Sequence, residues 1–236
     1  GTTNSLVSYF SEKGTVIIPN RFGEKLTTSV VSFGDNGEVY VGKVAKERMI
    51  THPESTKELF KRSMGSKKEF IINENKFTAE ELSSFIIRSL KEDAEEYLGS
   101  EVNEAIISVP AYFNDKQRKA TQLAGKLAGL KVERIVNEPT AAAIAYGLQN
   151  RNTNTKFLVF DLGGGTFDVS ILEVYKNIME VHAIAGDNYL GGDDFTEILV
   201  NMFLRANELE ACNLDSTTIA IIKKQAEEAK KMFSKQ

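Results

Sequence analysis

The string Phe157-Leu158-Val159-Phe160-Asp161-Leu162-Gly163-Gly164-Gly165-Thr166-Phe167-Asp168 carries the residue types that a polyphosphate site needs. An apolar run ending in Asp161 reads as a strand that delivers a carboxylate to a turn. Gly163, Gly164 and Gly165 follow. Without Cβ atoms that backbone can bend tightly and bring its N–H groups against an anion. Thr166 adds a hydroxyl. Asp161 and Asp168 flank the turn with hard oxygen ligands, which suit Mg2+ and its waters beside a polyphosphate. Read alone, the same string also fits a glycine-rich hairpin capped by two turn aspartates.

A second stretch echoes the first. Gly1-Thr2-Thr3-Asn4-Ser5-Leu6-Val7 resembles Gly165-Thr166-Phe167-Asp168-Val169-Ser170-Ile171, each a glycine turn running into a strand. Two such phosphate-holding hairpins in two lobes would face each other across a cleft. A third glycine motif is a decoy. Gly37-Glu38-Val39-Tyr40-Val41-Gly42-Lys43 satisfies Gly-x4-Gly-Lys, but a P-loop needs Ser or Thr next and the residue is Val44. Its intervening residues read as a hairpin strand.

The elements that must position these residues are legible in outline. Leu6 to Phe10 and Thr15 to Pro19 read as strands around a Gly14 turn, and Ser29 to Phe33 with Glu38 to Val41 as a second pair. Lys43 to Phe70 is charge-rich and weakly periodic. Thr78 with Glu81 forms a capping box opening a helix that ends at Gly99. Ala105 to Val109 is a buried-type strand stopped by Pro110. A helix follows from about Asp115 to Ala128, then a strand from Val132 to Val136. Pro139 opens an alanine-rich helix. This strand–helix–strand–helix order predicts a parallel α/β layer. Asn150 to Asn154 reads as a polar linker. Phe157 to Phe160, Asp168 to Val174 and Ile178 to Ile184 read as strands, and Phe195 to Ala206 and Thr217 to Phe233 as helices. In the last helix Ile219, Ile222, Ala226, Ala229 and Phe233 fall on one face.

Composition bounds the rest. With 236 residues, 42% hydrophobic and 26% charged, the chain predicts a packed globular core. A net charge of −4 gives no broad cationic footprint, so neither nucleic acid nor an anionic membrane is an expected partner. The single Cys212 excludes an internal disulfide. His52 and His182 lack cysteine partners at zinc-ligand spacing. No apolar run reaches membrane-spanning length, and a cytoplasmic or equally reducing compartment is expected. The chain starts inside a glycine turn without methionine and stops at the end of a helix, so both ends read as cuts within a longer protein.

Four strings together resemble the 70-kDa heat-shock chaperone family, bacterial members included: Gly1 to Ser5, Val109-Pro110-Ala111-Tyr112-Phe113-Asn114-Asp115, Asn137-Glu138-Pro139-Thr140-Ala141-Ala142-Ala143-Ile144-Ala145-Tyr146-Gly147, and Asp161 to Asp168. They occur in the family's order and cover nearly the whole chain. The resemblance implies an α/β, actin-like (ribonuclease H-like) two-lobed ATPase fold. Lobe I would span 1–150 with a small upper subdomain inserted over 28–77. Lobe II would span 151–236, incomplete, with its upper subdomain starting over 191–236. ATP or ADP would sit between the lobes with Mg2+, and K+ is a further candidate cation.

Carried over residue by residue, Thr2, Thr3 and Asn4 match the family's first phosphate hairpin, and Gly163, Gly164, Gly165 and Thr166 the second. Lys61, in Phe60-Lys61-Arg62-Ser63-Met64-Gly65, matches the lysine that assists γ-phosphate hydrolysis. Glu138 matches the glutamate near the metal and the attacking water. Asp161 and Asp168 match aspartates that hold Mg2+ through water. Gly191 and Gly192 match a pair near phosphates and ribose, and Glu227, Lys230 and Ser234 the helix that contacts adenosine. Pro110 and Arg118 match residues that relay nucleotide state. Outside the resemblance, Lys61 also reads as a solvated lysine and Glu138 as a helix N-terminal charge. Pro110 reads as a strand terminator, and Glu227 with Lys230 as an i,i+3 surface pair.

Departures accompany the match. The family's first strand, ending in Asp-Leu before Gly1, is missing, as are its later adenine-binding glycine segment and its peptide-binding domain. The stretch from Gly34 to Phe77 is short. The expected activity is ATP hydrolysis coupled to binding and release of unfolded peptide through a further domain, assisted by a J-domain co-chaperone and a nucleotide exchange factor. This stretch alone is expected to turn over weakly. The alternatives are a nucleotide-sensing module without turnover and a small-molecule kinase of the actin-like superfamily, for which no acid/base or substrate motif is visible.

Overall fold

The computed structural model describes residues 1–146, 155–175 and 178–233, a mixed α/β chain. The proposed linker at Asn150 to Asn154 and the site residue Ser234 lie outside the described residues. In the N-terminal part, β1 (Asn4–Ser5) pairs antiparallel with β4 (Thr27–Thr28), and β2 (Val7–Ser11) with β3 (Gly14–Ile18). β5 (Val30–Phe33) runs between β6 (Val39–Val41) and β7 (Thr56–Glu58), antiparallel to both. The P-loop decoy is thus a hairpin strand. Its Lys43 opens helix α1 (Lys43–Thr51) and pairs with Glu24 at 3.0 Å.

The stretch read as weakly periodic is structured. It holds α1, β7 and a single 3-10 turn, Phe60–Ser63. Its helix gave no periodic signal because only Ala45 is buried along α1. A further hairpin, β8 (Phe70–Ile72) with β9 (Asn75–Phe77), turns on Asn73 and Glu74, both at positive φ (47° and 67°). Asn-Glu replaces the usual Asn-Gly of such turns, so its signal was weak.

Helix α2 (Ala79–Leu98) begins and ends where the sequence placed it. Thr78 Oγ1 accepts the Glu81 N–H at 3.2 Å, Glu81 Oε2 accepts the Thr78 N–H at 2.7 Å, and Gly99 closes the helix at φ 65°. Then β10 (Glu104–Val109) pairs parallel with β11 (Lys131–Asn137) through the crossover helix α3 (Asp115–Leu127). A parallel pair needs such a crossover. β11 runs directly into α4 (Glu138–Ala145), so the strand end sets where Glu138 stands.

The N-terminal core gathers Val31, Phe60, Met64, Ile72, Leu82, Val109 and Phe113. Phe33 adds rings at 4.8 Å to Phe77 and 5.5 Å to Phe85. Burying Phe60 (3% exposed) and Met64 (4%) pins both ends of the 3-10 turn, and Lys61 and Arg62 lie between these anchors. Gly65 completes the string: it sits at φ 72°, and a Cβ there would come within 2.9 Å of the Lys116 backbone.

In the C-terminal part, β12 (Thr155–Leu162), β13 (Phe167–Tyr175) and β14 (Ile178–Asp187) form an antiparallel meander. Asp168, Ser170, Leu172 and Val174 alternate along β13 as its buried face, while Leu158 and Phe160 of β12 are exposed. Helices α5 (Gly192–Ala206) and α6 (Ser216–Phe233) pack on each other. The apolar stripe expected on α6 holds only in part: Ile219, Ile222 and Ala226 are half-buried, but Ala229 and Phe233 are exposed. Charged residues of that helix make its closest links. Among the described residues no helix is long and apolar enough to cross a membrane.

Candidate functional site

The catalytic candidates converge from distant elements. Lys61 Nζ donates to Glu138 Oε1 at 3.0 Å across 77 residues. The two side chains are 16% and 23% exposed, so Lys61 is not a solvated surface charge. Its ammonium also lies 5.7 Å from the Phe113 ring centroid. Leu59, just before the turn, holds the left-handed conformation (φ 58°, ψ 11°). Such strain costs on the order of 1–3 kcal/mol and persists where surrounding structure fixes it; here buried Phe60 does so.

Asp161 and Asp168 are direct cross-strand partners in the β12–β13 ladder. Residues directly opposite on adjacent strands share a face, and like charges so placed repel. Asp168 is 2% exposed and accepts the Tyr112 N–H at 3.2 Å. Burial pushes its carboxyl above the usual range, helped by Glu138 and Asp161 and opposed by the Tyr112 hydrogen bond and Lys61. Burial and Glu138 push Asp161 up as well. A raised folded-state value means these groups favour folding below the ordinary carboxylate pKa and lose that contribution as pH rises through the raised value. At pH 7 both charges therefore cost stability. Asp168→Asn keeps an acceptor for Tyr112 and should raise the unfolding midpoint at pH 7 in EDTA by about 2–4 °C, the shift that 1 kcal/mol produces at this size. The gain should shrink towards pH 4. A lower midpoint at pH 7 would mean that the fold requires the charge.

The two glycine hairpins meet, as the echo suggested, but they touch rather than face each other across a gap. A Cβ on Gly164 would lie 2.3 Å from Thr3 Oγ1, and one on Gly165 would lie 2.2 Å from Thr2 Cγ2. Only glycine allows this approach. Thr2 and Thr166 are buried, while Asn4 is exposed and pairs with Thr28. Gly163 N–H bonds to Thr166 O at 2.9 Å, closing the turn. The start of α5 docks on it: Gly192 N–H reaches Gly163 O at 3.0 Å and Asp193 N–H reaches Gly164 O at 2.8 Å.

The remaining candidates are placed as follows. Pro110 is fully buried. Arg118 braces the loop after it, donating to Phe113 O at 3.0 Å, Ala111 O at 3.3 Å and Asn137 Oδ1 at 2.8 Å, next to Glu138. Glu227 and Lys230 are not a surface pair with each other. Lys230 Nζ donates to Gly192 O at 2.5 Å and Thr196 Oγ1 at 2.8 Å. Glu227 takes Lys231 at 2.8 Å and Lys46 at 3.8 Å.

Two groups escaped the sequence reading. Arg62, beside Lys61, reaches Gly165 and Asp194. Lys223 of α6 joins Glu58 (3.1 Å), Asp193 (3.2 Å) and Glu197 (3.1 Å), although Glu58 Oε1 accepts no well-angled hydrogen bond and that contact is coulombic. The acidic pair Asp193-Asp194 after the double glycine is a sequence signal for both, and Arg62 also stands inside the Phe60 to Gly65 string.

Comparison with known proteins matches the amino-acid sequence to a family. The profile described as "Hsp70 protein" matches residues 1–75 and 67–236. Its two spans overlap at the β8–β9 hairpin, inside the stretch read as short. Proteins named "Chaperone protein DnaK" from Thermotoga petrophila, Thermotoga neapolitana and Thermotoga maritima are each 53% identical over 202 residues, covering 85% of this chain and 34% of the relative. The chain thus spans about a third of the length of these relatives.

Proposed function

Because the chain belongs to the Hsp70 family, we propose that it is the ATP-binding and ATP-hydrolysing part of a molecular chaperone, with an actin-like, two-lobed fold. Lobe I would take residues 1–150, with 28–77 as its upper subdomain, and lobe II residues 151–236. The observation that carries the reading is the convergence of the Lys61–Glu138 pair and the opposed Asp161 and Asp168 with two glycine hairpins in contact.

The donor set fits a hydrated Mg2+. Two carboxylates with raised pKa values sit where a cation would relieve their repulsion. Among the described residues no three His, Cys, Asp or Glu side chains gather closely enough to hold a metal directly, so water-mediated holding by Asp161 and Asp168 is the reading adopted. When bound, Mg2+ would neutralise charge on the β- and γ-phosphates. Phosphoryl transfer needs positioning and charge stabilisation more than covalent help. Lys61 would supply positive charge at the transferring phosphoryl group. Glu138, oriented by Lys61, or Thr166 would orient the attacking water. Backbone N–H groups of the two hairpins, including Thr2, Thr3 and Asn4, would hold phosphate oxygens after the turns have parted to admit them and closed again behind them. Gly191, Gly192, Glu227, Lys230 and Ser234 would contact the ribose and base. Pro110 and Arg118 would relay nucleotide state, since Tyr112, in the loop that follows Pro110 and that Arg118 braces, bonds Asp168.

In the longer protein the cycle would act on unfolded peptide in the cytoplasm, with a J-domain co-chaperone and a nucleotide exchange factor. The test is calorimetric titration with MgADP and MgATP, followed by steady-state ATPase assays of the longer protein with and without unfolded peptide. Binding and peptide-stimulated hydrolysis are expected. Binding without hydrolysis would reduce the protein to a nucleotide-sensing module, and phosphate transfer to a small acceptor would make it a kinase.

A further inference from the structure

We propose that Arg62 is a positioning residue that locks the glycine turn and the first turn of α5 against the Lys61 turn, and so sets the rate at which nucleotide leaves. This rests on the nucleotide reading above. Lys61 and Arg62 are neighbours on one 3-10 turn, yet they engage opposite sides of the site. Lys61 meets Glu138, within the N-terminal part. Arg62 crosses to the C-terminal part: Nε donates to Gly165 O at 2.8 Å, Nη1 to Asp194 Oδ1 at 3.1 Å and Nη2 to Asp194 Oδ2 at 2.5 Å. Its side chain is only 12% exposed.

The planar fork lets one guanidinium serve a carboxylate with two donors and a carbonyl with a third, which lysine cannot do. Asp194 is held ionised. Burial works against the charge, but the Arg62 hydrogen bond and its positive charge outweigh it, and the carboxyl sits below its usual range. The same carboxylate accepts the Gly191 N–H at 2.7 Å, capping α5. Arg62 therefore touches both C-terminal turns that would lie beside the phosphates, at sequence separations of 103 and 132 residues. Nucleotide can leave only if the Thr2–Thr3 and Gly163–Gly165 turns part, and the Arg62 bonds span that same divide. They must break on opening, whereas no atom of Arg62 need change partner during hydrolysis.

The test is stopped-flow release of a fluorescent ADP analogue in Mg2+ buffer, with single-turnover ATP hydrolysis alongside. Arg62→Ala should release the analogue about 10- to 100-fold faster, the range for loss of charge-assisted bonds. Arg62→Lys should fall between it and the parent. Asp194→Asn retains a carbonyl for the Gly191 N–H and should also speed release. Adding it to Arg62→Ala should add almost nothing, because the two act through one contact. The effect on release should exceed that on single-turnover hydrolysis by at least about tenfold. Release at the parent rate from folded variants, additive effects in the double variant, or an equal loss of hydrolysis would each overturn the proposal. If Arg62→Ala does not fold, Arg62→Lys and Asp194→Asn decide by the same criteria. If the parent binds no analogue, the nucleotide reading fails instead. Hydrogen exchange at residues 163–166 and 191–194 then decides, and unchanged protection in the Arg62 variants overturns the lock.

Discussion

In the longer protein, Lys61→Ala should lower ATP turnover by about 10²–10³, the cost measured elsewhere for losing one preorganised charge stabiliser, while nucleotide binding stays measurable. The structure makes this sharper than a match of motifs could. The Lys61 side chain is 16% exposed, rises from a turn anchored by Phe60 and Met64, and meets Glu138 at 3.0 Å. A charge so held matters most when charge builds on the transferring group. Asp161→Ala should differ in kind. It removes a carboxylate from the metal environment and should weaken Mg2+-dependent binding as well as turnover. Paired calorimetry and single-turnover hydrolysis separate the two. Hydrolysis at the parent rate by Lys61→Ala would leave the lysine with only its structural pairing to Glu138.

Lys223→Met should destabilise the fold by about 3 kcal/mol, because it leaves buried Asp193 without a cation and Glu58 with Lys46 alone. The lysine is 23% exposed, and Glu58 and Asp193 are each 14% exposed. Burial opposes the charge on Lys223, but the three carboxylates outweigh it and hold the pKa above its ordinary 10.5. A raised folded value means the contribution is complete below 10.5 and fades as pH rises through the folded value, so it is undiminished at pH 7. Urea unfolding at pH 7 measures the loss. Lys76→Met, which removes an exposed partner of Glu69, should leave the urea midpoint nearly unchanged. Equal effects at both positions would show that the carboxylate cluster relaxes freely into water.

What could be read in the sequence was whatever neighbouring residues specify. The capping box at Thr78, Gly99 at its far end, the Pro139 helix start and the Asp161–Asp168 hairpin are all local, and all were found where expected. Helix α1 was invisible because it buries only Ala45, and β8–β9 because Glu74 stands where glycine usually gives the signal. The glycine turn and its two aspartates were legible by themselves, whereas Lys61 and Glu138 were legible only through the family's strings. Nothing in the spacing of Lys61 and Glu138 announces a contact. Arg62 lay inside a string already singled out and was passed over, since an arginine beside a lysine in a charged stretch has the look of a solvated face. The α6 stripe misled for a related reason. Its apolar periodicity is real, but Lys223 and Lys230 tie that helix to Asp193 and Gly192.

The contacts that assemble the site have a consequence for how the chain comes together. The β12–β13–β14 meander and helix α2 are built from neighbours in sequence and can form early. The bonds from Lys61 to Glu138 and from Arg62 to Gly165 close loops of 77 and 103 residues. Such closures carry their entropic cost before any contact rewards them, and a high mean sequence separation slows folding. Local pieces are therefore expected to form well before Lys61 meets Glu138 and Arg62 meets Gly165. The two glycine turns, Lys61 and the carboxylates are expected to come together late, and a modest destabilisation to separate them while most secondary structure persists.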